Sequence, residues 1–236
     1  MSQYFIKQST LHAGIIMDGN GRWAAARALQ RTAGHRAGVE TAREIVRAAP
    51  DLGISILTLF AFSSDNWRRP APEVHALMGL MNRYLIDETG KCADQGVRLE
   101  VIGRRDRLGE GLREAIAQAE AATAGGSRLH LRIAVDYSAR NAILSAVRGL
   151  KELSFNTLST ALGPPVDLLI RTGGEYRLSD FLLWESAYAE LVFSQKAWPD
   201  FTAGDLAAAV HEFQRRDRRY GAAPGPHVRL HEAWLD

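Results

Sequence analysis

The sequence predicts an α/β fold: a single domain with a central, mostly parallel β-sheet flanked by helices. Three observations predict it. Short apolar runs alternate along the chain with stretches of helical periodicity. The runs ISILTLFAF and VDLLI have the length and composition of buried strands. The chain has 236 residues, enough for one full core at about 150 residues per domain, and no internal repeat or low-complexity linker divides it.

The elements follow in order. Residues 12–17 (HAGIIM) form a first short strand. Over 38–49, Val39, Ala42, Ile45, Val46 and Ala49 recur at helical spacing. Residues 54–62 are the second strand, and Val74, Leu77, Met78, Met81 and Leu85 mark a helix over 73–90. Residues 97–102 (VRLEVI) alternate as a strand does, and 110–123 is helical. A strand at 129–135 (LHLRIAV), a helix at 139–152, a strand at 166–170 and a charged helix at 204–218 complete the series. The Pro-containing loops at 70–72 and 163–165 read as punctuation within one domain, bounded by an N-terminal segment 1–11 and a C-terminal tail 222–236.

Composition excludes several classes. Hydrophobic residues make up 46% and charged residues 24%, which is ordinary for a globular chain and not for a disordered or collagen-like one. The single cysteine, Cys92, cannot form an internal bridge and fits a reducing cytoplasm. No run approaches the ~18 apolar residues of a membrane span, and the start MSQYFIKQST lacks a signal-peptide pattern, so a cytoplasmic location is expected. The net charge of +2 and the lack of a basic stripe with stacking aromatics argue against nucleic acid as a partner. An anion site must come from local clustering of arginines.

In open α/β sheets, ligands bind beyond the carboxyl ends of the strands. Three strand ends carry chemistry. After HAGIIM comes Asp18-Gly19-Asn20-Gly21-Arg22-Trp23: a carboxylate, two glycines and an arginine where a helix starts. The glycines let backbone N–H groups approach phosphate, and the carboxylate suits magnesium, a hard cation that prefers oxygen ligands. Arg31 and His35 follow within reach of the same anion. After the second strand come Ser63, Asn66, Trp67 and Arg69. After VDLLI, Arg171 and Arg177 flank a double glycine and Ser179 follows, a set that suits bidentate phosphate binding. Each string also admits a plainer reading: a turn with a capped helix, or arginines paired with carboxylates such as Glu175. The run Arg215, Arg216, Arg218, Arg219 is by pattern a solvated helix face. His12, His75, His130, Trp198 and Phe201 read as packing or surface residues, and no zinc spacing or Gly-x-Ser-x-Gly elbow is present.

Taken together, the strings resemble the cis-prenyltransferase family, typified by undecaprenyl diphosphate synthase. HAGIIMDGNGRW with RTAGHRAGVE resembles its opening signature, LTLFAFSSDNWRRP its second, and PVDLLIRTGGEYRLSDFLLWESAYAELVF its third; WPDF and the arginine-rich ending match its close. The likeness runs from about His12 to Gly221, which bounds the expected domain at 12–221. It implies a homodimer that condenses isopentenyl diphosphate onto an allylic diphosphate primer of geranyl or farnesyl type. Each cycle would form a Z double bond with Mg2+. It implies Asp18 as the magnesium-linked carboxylate, with Gly19, Asn20, Gly21, Arg22, Trp23, Arg31 and His35 around the allylic diphosphate. Ser63, Asn66, Trp67 and Arg69 would lie on the loop over both substrates, with Ser63, Asn66 or a substrate phosphate oxygen as candidate proton acceptors. Arg171, Arg177 and Ser179 would hold isopentenyl diphosphate, joined across the dimer by Arg219 and Gly221. Glu190 would support magnesium or the second subunit's site.

The same resemblance implies an apolar tunnel beside the 73–90 helix, lined by Leu77, Met81 and Tyr84. Tyr84 stands where long-chain members tend to have a small residue, so a shorter product is expected. Peripheral membrane contact is expected only for long products. Some positions depart from the family pattern. Asp136-Tyr137-Ser138-Ala139-Arg140 replaces Asn-Tyr-Gly-Gly-Arg, Asp180 replaces asparagine beside Ser179, and Tyr176 replaces histidine or glutamine. The altered acceptor side leaves irregular coupling of two dimethylallyl units as an alternative. A non-catalytic partner subunit is a further one, disfavoured because Asp18 through Trp23 is intact.

Overall fold

A computed structural model describes residues 11–216. Within them, six parallel strands form one sheet in the order β3-β4-β2-β1-β5-β6. The strands are β1 (Leu11–Ile16), β2 (Ile54–Ser63), β3 (Val97–Ile102), β4 (Leu129–Tyr137), β5 (Leu168–Arg171) and β6 (Glu190–Phe193). The helices are α1 (Asn20–Ala25), α2 (Arg31–Ala48), α3 (Ala71–Asp94), α4 (Glu110–Ala122), α5 (Ala139–Gly149), α6 (Phe155–Leu162) and α7 (Ala203–Arg215).

The expected α/β architecture is therefore present, with three additions. α1 is too short to show a periodicity of its own. α6 begins at a Ser154 capping box inside a stretch that reads as loop. β6 is a four-residue edge strand with no fully buried position, so it lacks the apolar run that marks β2 or β5. α2 begins earlier than its apolar face implies, because its first turns, RTAGHRA, carry charged and small residues with no apolar periodicity; α3 begins at Ala71, with Pro72 in its first turn.

The strand order places the site. β1 is flanked by β2 on one side and β5 on the other, and the chain leaves β1 toward β2 but later returns on the β5 side. The gap between β1 and β5 is thus the topological switch point, where loops diverge and a crevice opens. Ile16 and Arg171 pair across it, so Asp18 and Arg171 emerge side by side. Below them β1 is buried along its whole length.

Two glycines make the rim possible. Gly19 has φ 102°, and a Cβ there would stand 2.8 Å from the Ala197 Cα. Gly34 lets α2 pass close to α1, since its Cβ would fall 2.0 Å from the Asn20 carbonyl oxygen. Trp198 and Phe201 are buried and stacked as expected, and Trp198 Nε1 donates to the Gly38 carbonyl at 2.8 Å.

Candidate active site

Asp18 is the centre of the rim. Its Oδ2 accepts from Arg171 Nη2 at 2.8 Å, and its Oδ1 accepts from the Gly19 amide at 2.6 Å. Arg22 approaches Oδ1 at 3.5 Å. Thr172, fully buried, holds the loop: the Asp18 amide donates to Thr172 Oγ1 at 3.0 Å, and Oγ1 donates to the Asp18 carbonyl at 2.8 Å. Burial alone would push the Asp18 carboxyl up. The hydrogen bonds from Arg171 and Gly19 and the charges of Arg171 and Arg22 outweigh it, so the group sits below its usual range and is ionised at neutral pH.

Arg171 is buried, and its Nη1 donates to the Arg177 carbonyl at 2.6 Å and to Ser179 Oγ at 2.7 Å. Ser179 and Asp180 adopt left-handed backbone, with φ 50° and 63°, which turns the Ser179 hydroxyl toward the guanidinium. The Arg177 side chain is exposed and pairs with Glu175 at 2.6 Å. Asp180 does not add a loose negative charge to the rim. It accepts from Ser138 Oγ at 2.6 Å and from the Arg140 amide at 3.1 Å, so Ser138 and Asp180 together cap α5.

A second node, not read from the sequence, is Glu73 in the first turn of α3. Arg31, His35 and Arg69 all converge on its carboxylate, at 3.4, 3.5 and 3.0 Å. Burial raises the Glu73 carboxyl, and Arg31, Arg69 and His35 bring it net below its usual range. Burial and Arg69 hold His35 below its ordinary value. Three of the expected diphosphate ligands thus already face one anion. Gly21 lies against this group, its Cβ position 2.9 Å from the Arg31 guanidinium carbon. Asn20 Nδ2 donates to the Met17 carbonyl at 3.1 Å, and its Oδ1 is buried without a partner.

Some expected residues also carry contacts that hold the local structure. Trp23 Nε1 donates to Asp200 at 2.7 Å and its ring lies under Arg27, so it fastens α1 to the 198–200 turn. Ser63 and Asn66 form a capping box around the 3-10 turn Ser64–Arg68: Ser63 Oγ accepts from the Asp65 amide and Asn66 Oδ1 from the Ser63 amide. Trp67 packs edge-on to Phe62, with Arg107 over its ring at 5.3 Å. Arg107 is in turn held by the buried Asp136, which also accepts from Ser64 at 3.0 Å, so the departure at Asp136 anchors this turn.

Glu190 is not brought to Asp18 within one chain. It opens β6 opposite Leu168, three rows below Arg171, or about 10 Å along the sheet, and pairs with Arg216 at 2.7 Å. Arg219 and Gly221 lie outside the described residues. Among the described residues no cluster of three or more His, Cys, Asp or Glu side chains is arranged for a metal. Asp18 nevertheless fits magnesium, which is commonly held by one or two carboxylates together with substrate phosphates and water.

Beside the charged rim opens an apolar cavity of about 110 Å³ between the sheet, α2 and α3. Met17, Asn20 and His35 line its mouth, β2 and β4 its floor, and Leu77, Met81 and Tyr84 its α3 wall. Leu77, Met81 and Tyr84, the residues expected to line a tunnel, thus share one wall of this cavity.

Arginines and a carboxylate beside an apolar pocket make an arrangement that suits a ligand with an anionic head and an apolar tail. The family described as putative undecaprenyl diphosphate synthase matches residues 16–221. Isoprenyl transferase 1 of Bradyrhizobium diazoefficiens is 60% identical over 223 residues, 91% of each chain. The isoprenyl transferase of Chromobacterium violaceum is 48% identical, covering 89% of this chain and 87% of its own. Among solved structures, lavandulyl diphosphate synthase from Lavandula x intermedia, in complex with dimethylallyl diphosphate, superposes with TM-score 0.87 at 32% identity, covering 91% of this chain and 99% of its own. A probable undecaprenyl diphosphate synthase from Campylobacter jejuni gives 0.78 at 33%, covering 90% and 99%. The chain belongs to the undecaprenyl diphosphate synthase family, the cis-prenyltransferases.

Proposed function

We propose that this enzyme condenses isopentenyl diphosphate with an allylic diphosphate of geranyl or farnesyl type, in the presence of Mg2+, to give a Z-polyprenyl diphosphate of short or medium length. The observation that carries the reading is the Asp18–Arg171 pair at the switch point, beside an apolar cavity lined by Met17 and Asn20 on either side of Asp18 in the chain. Arg22, Arg31, His35 and Arg69 take the allylic head group, and Arg171 with Ser179 takes that of isopentenyl diphosphate. Magnesium at Asp18 would offset charge on the diphosphates. The guanidinium groups stabilise charge growing on the departing diphosphate, and the rim holds the two reactants in register. The cavity shields the allylic carbon from water. Ser63 and Asn66 are neutral and engaged in capping, which favours a phosphate oxygen as the proton's acceptor.

Tyr84, buried at the end of the α3 wall, supports a shorter product than the long lipid-carrier precursor. Exposed apolar side chains on α5 and α6, including Leu144 and Phe155, support a homodimer through that face, where Glu190 would serve the partner's site. No helix among the described residues is long and apolar enough to cross a membrane. Cytoplasmic synthesis with peripheral membrane contact for longer products is the corresponding proposal.

The likeness to lavandulyl diphosphate synthase keeps irregular coupling of dimethylallyl units as a second reading. One experiment separates the two. Labelled isopentenyl diphosphate is incubated with each primer, with and without Mg2+, alongside dimethylallyl diphosphate alone. The proposal expects Z products only when isopentenyl diphosphate is present. Product from dimethylallyl diphosphate alone would favour irregular coupling, and no product in any mixture would overturn both.

A further inference from the structure

Charged residues stand behind Tyr84. The cavity runs along α2 from His35 to Ala42 and along α3 from Leu77 to Tyr84, and it ends there. The next residue on α2 is Arg43, and one turn beyond Tyr84 on α3 is Glu88. Glu88 is 6% exposed, unusual for a carboxylate at a helix surface. Its Oε1 accepts from Arg43 Nε at 3.0 Å and from Lys91 Nζ at 2.8 Å. The Arg43 guanidinium also pairs with Glu40 and reaches to 6.0 Å from the centre of the Tyr84 ring. The two helices that wall the cavity are thus tied together immediately past its end, with the Tyr84 ring beside the tie.

A phenol ring alone is a poor stopper between two helices that can part. A largely buried ion pair between those helices resists their separation, because parting them would take the Arg43 fork from Glu88 and leave its carboxylate, in dry surroundings, to Lys91 alone. We propose that Arg43 and Glu88 are specificity-determining positioning residues. Their ion pair straps α2 to α3 behind Tyr84 and so sets how far the growing chain can extend. The inference rests on the cis-prenyl elongation proposed above and on Tyr84 as the end of the cavity.

The test is the product ladder of the full-length enzyme with labelled isopentenyl diphosphate and primer, read by mass, together with the rate of the first condensation. Tyr84→Ala serves as reference. Glu88→Gln removes the charge but keeps the shape, and leaves Arg43 its Glu40 partner. It should shift the main product upward by at least one isoprene unit, with kcat/KM of the first condensation within about twofold of the parent. Arg43→Met, which keeps the aliphatic stem, should do the same, and it decides the matter if Glu88→Gln fails to fold. Arg43→Lys should restore the parental ladder. A parental ladder in both Glu88→Gln and Arg43→Met, beside a lengthened one in Tyr84→Ala, overturns the strap and leaves Tyr84 a stopper by bulk alone. A parental ladder in Tyr84→Ala as well overturns the reading of the cavity end, and the strap with it.

Discussion

The two ends of the cavity are built on opposite principles. At the rim, charges are partnered in ways that a ligand must undo: Asp18 holds Arg171, and Glu73 holds Arg31, His35 and Arg69. At the far end, Glu88 holds Arg43 in a pair that no ligand needs to reach. Each rim cluster has members open to the crevice, with Asp18, Arg31 and Arg69 31%, 60% and 33% exposed, so an arriving diphosphate can take a carboxylate's place beside the arginines. The far pair is dry on its acidic side, where loss of a partner is expensive. The same chemistry serves as a replaceable placeholder in one place and as a fixed wall in the other.

The largest effect should come from the rim. Asp18→Ala is expected to reduce condensation by roughly 10²- to 10³-fold or more while circular dichroism shows an unchanged fold. Arg171→Lys keeps the charge but loses the fork that reaches Ser179, the Arg177 carbonyl and Asp18 together. Steady-state kinetics should show a KM for isopentenyl diphosphate raised by about 10-fold or more, with the primer's KM much less affected. An equal rise in both would mean that the two head-group sites are not separate.

The far end should respond in length, not in rate. Tyr84→Ala should lengthen the product with little change in the first condensation, as read by mass and single turnover. A slowed first step would place Tyr84 in the chemistry and erase the contrast between the two ends.

The smallest effect on activity, and a separate one on stability, should come from His12 at the opposite end of β1. Burial is the main reason its pKa lies at about 4, with the ring between Pro165 and Thr58. Its unfolded value of 6.5 is higher, so protonation favours the unfolded chain. The stabilisation is complete above about pH 6.5 and is lost as pH falls toward 4, by up to roughly 3 kcal/mol. Asp18, with a depressed pKa, loses its contribution only at lower pH, as acid reaches its folded value. Denaturant midpoints against pH should show the first decline in the His12 window. A His12 resonance titrating near 6.5 would remove its part in it.

Part of the rim was legible in the sequence because candidate residues follow apolar strands: Asp18, Ser63 and Arg171 each sit where a strand ends. Leu77 and Met81 were legible as part of a helical face over 73–90, whereas their place on a tunnel wall, and that of Tyr84, followed only from the family resemblance. Glu73 was not, because a carboxylate in the first turn of a helix also answers to the helix dipole, and only the packing of α2 beside α3 shows the three cations it gathers. Arg43 and Glu88 were hidden for the same reason. They are far apart in sequence, carry no motif, and become partners only through the crossing of two helices. β6 and α6 escaped because short, partly exposed elements bury too little apolar surface to leave a pattern. Ser63, Asn66 and Trp23 show the converse: residues that match a motif whose polar atoms are used to hold the turn or helix that carries them.

The central claim is that two diphosphates lie side by side at the β1–β5 switch point while one hydrocarbon tail enters the α2–α3 cavity. Its most direct test is a crystal structure with isopentenyl diphosphate and an unreactive thio-analogue of the allylic primer, grown with magnesium. The account predicts one head group beside Asp18, Arg22 and Arg31, the other on Arg171 and Ser179, and the tail running past Leu77 toward Tyr84. A tail lying outside that cavity, or either head group bound away from Asp18 and Arg171, would contradict it.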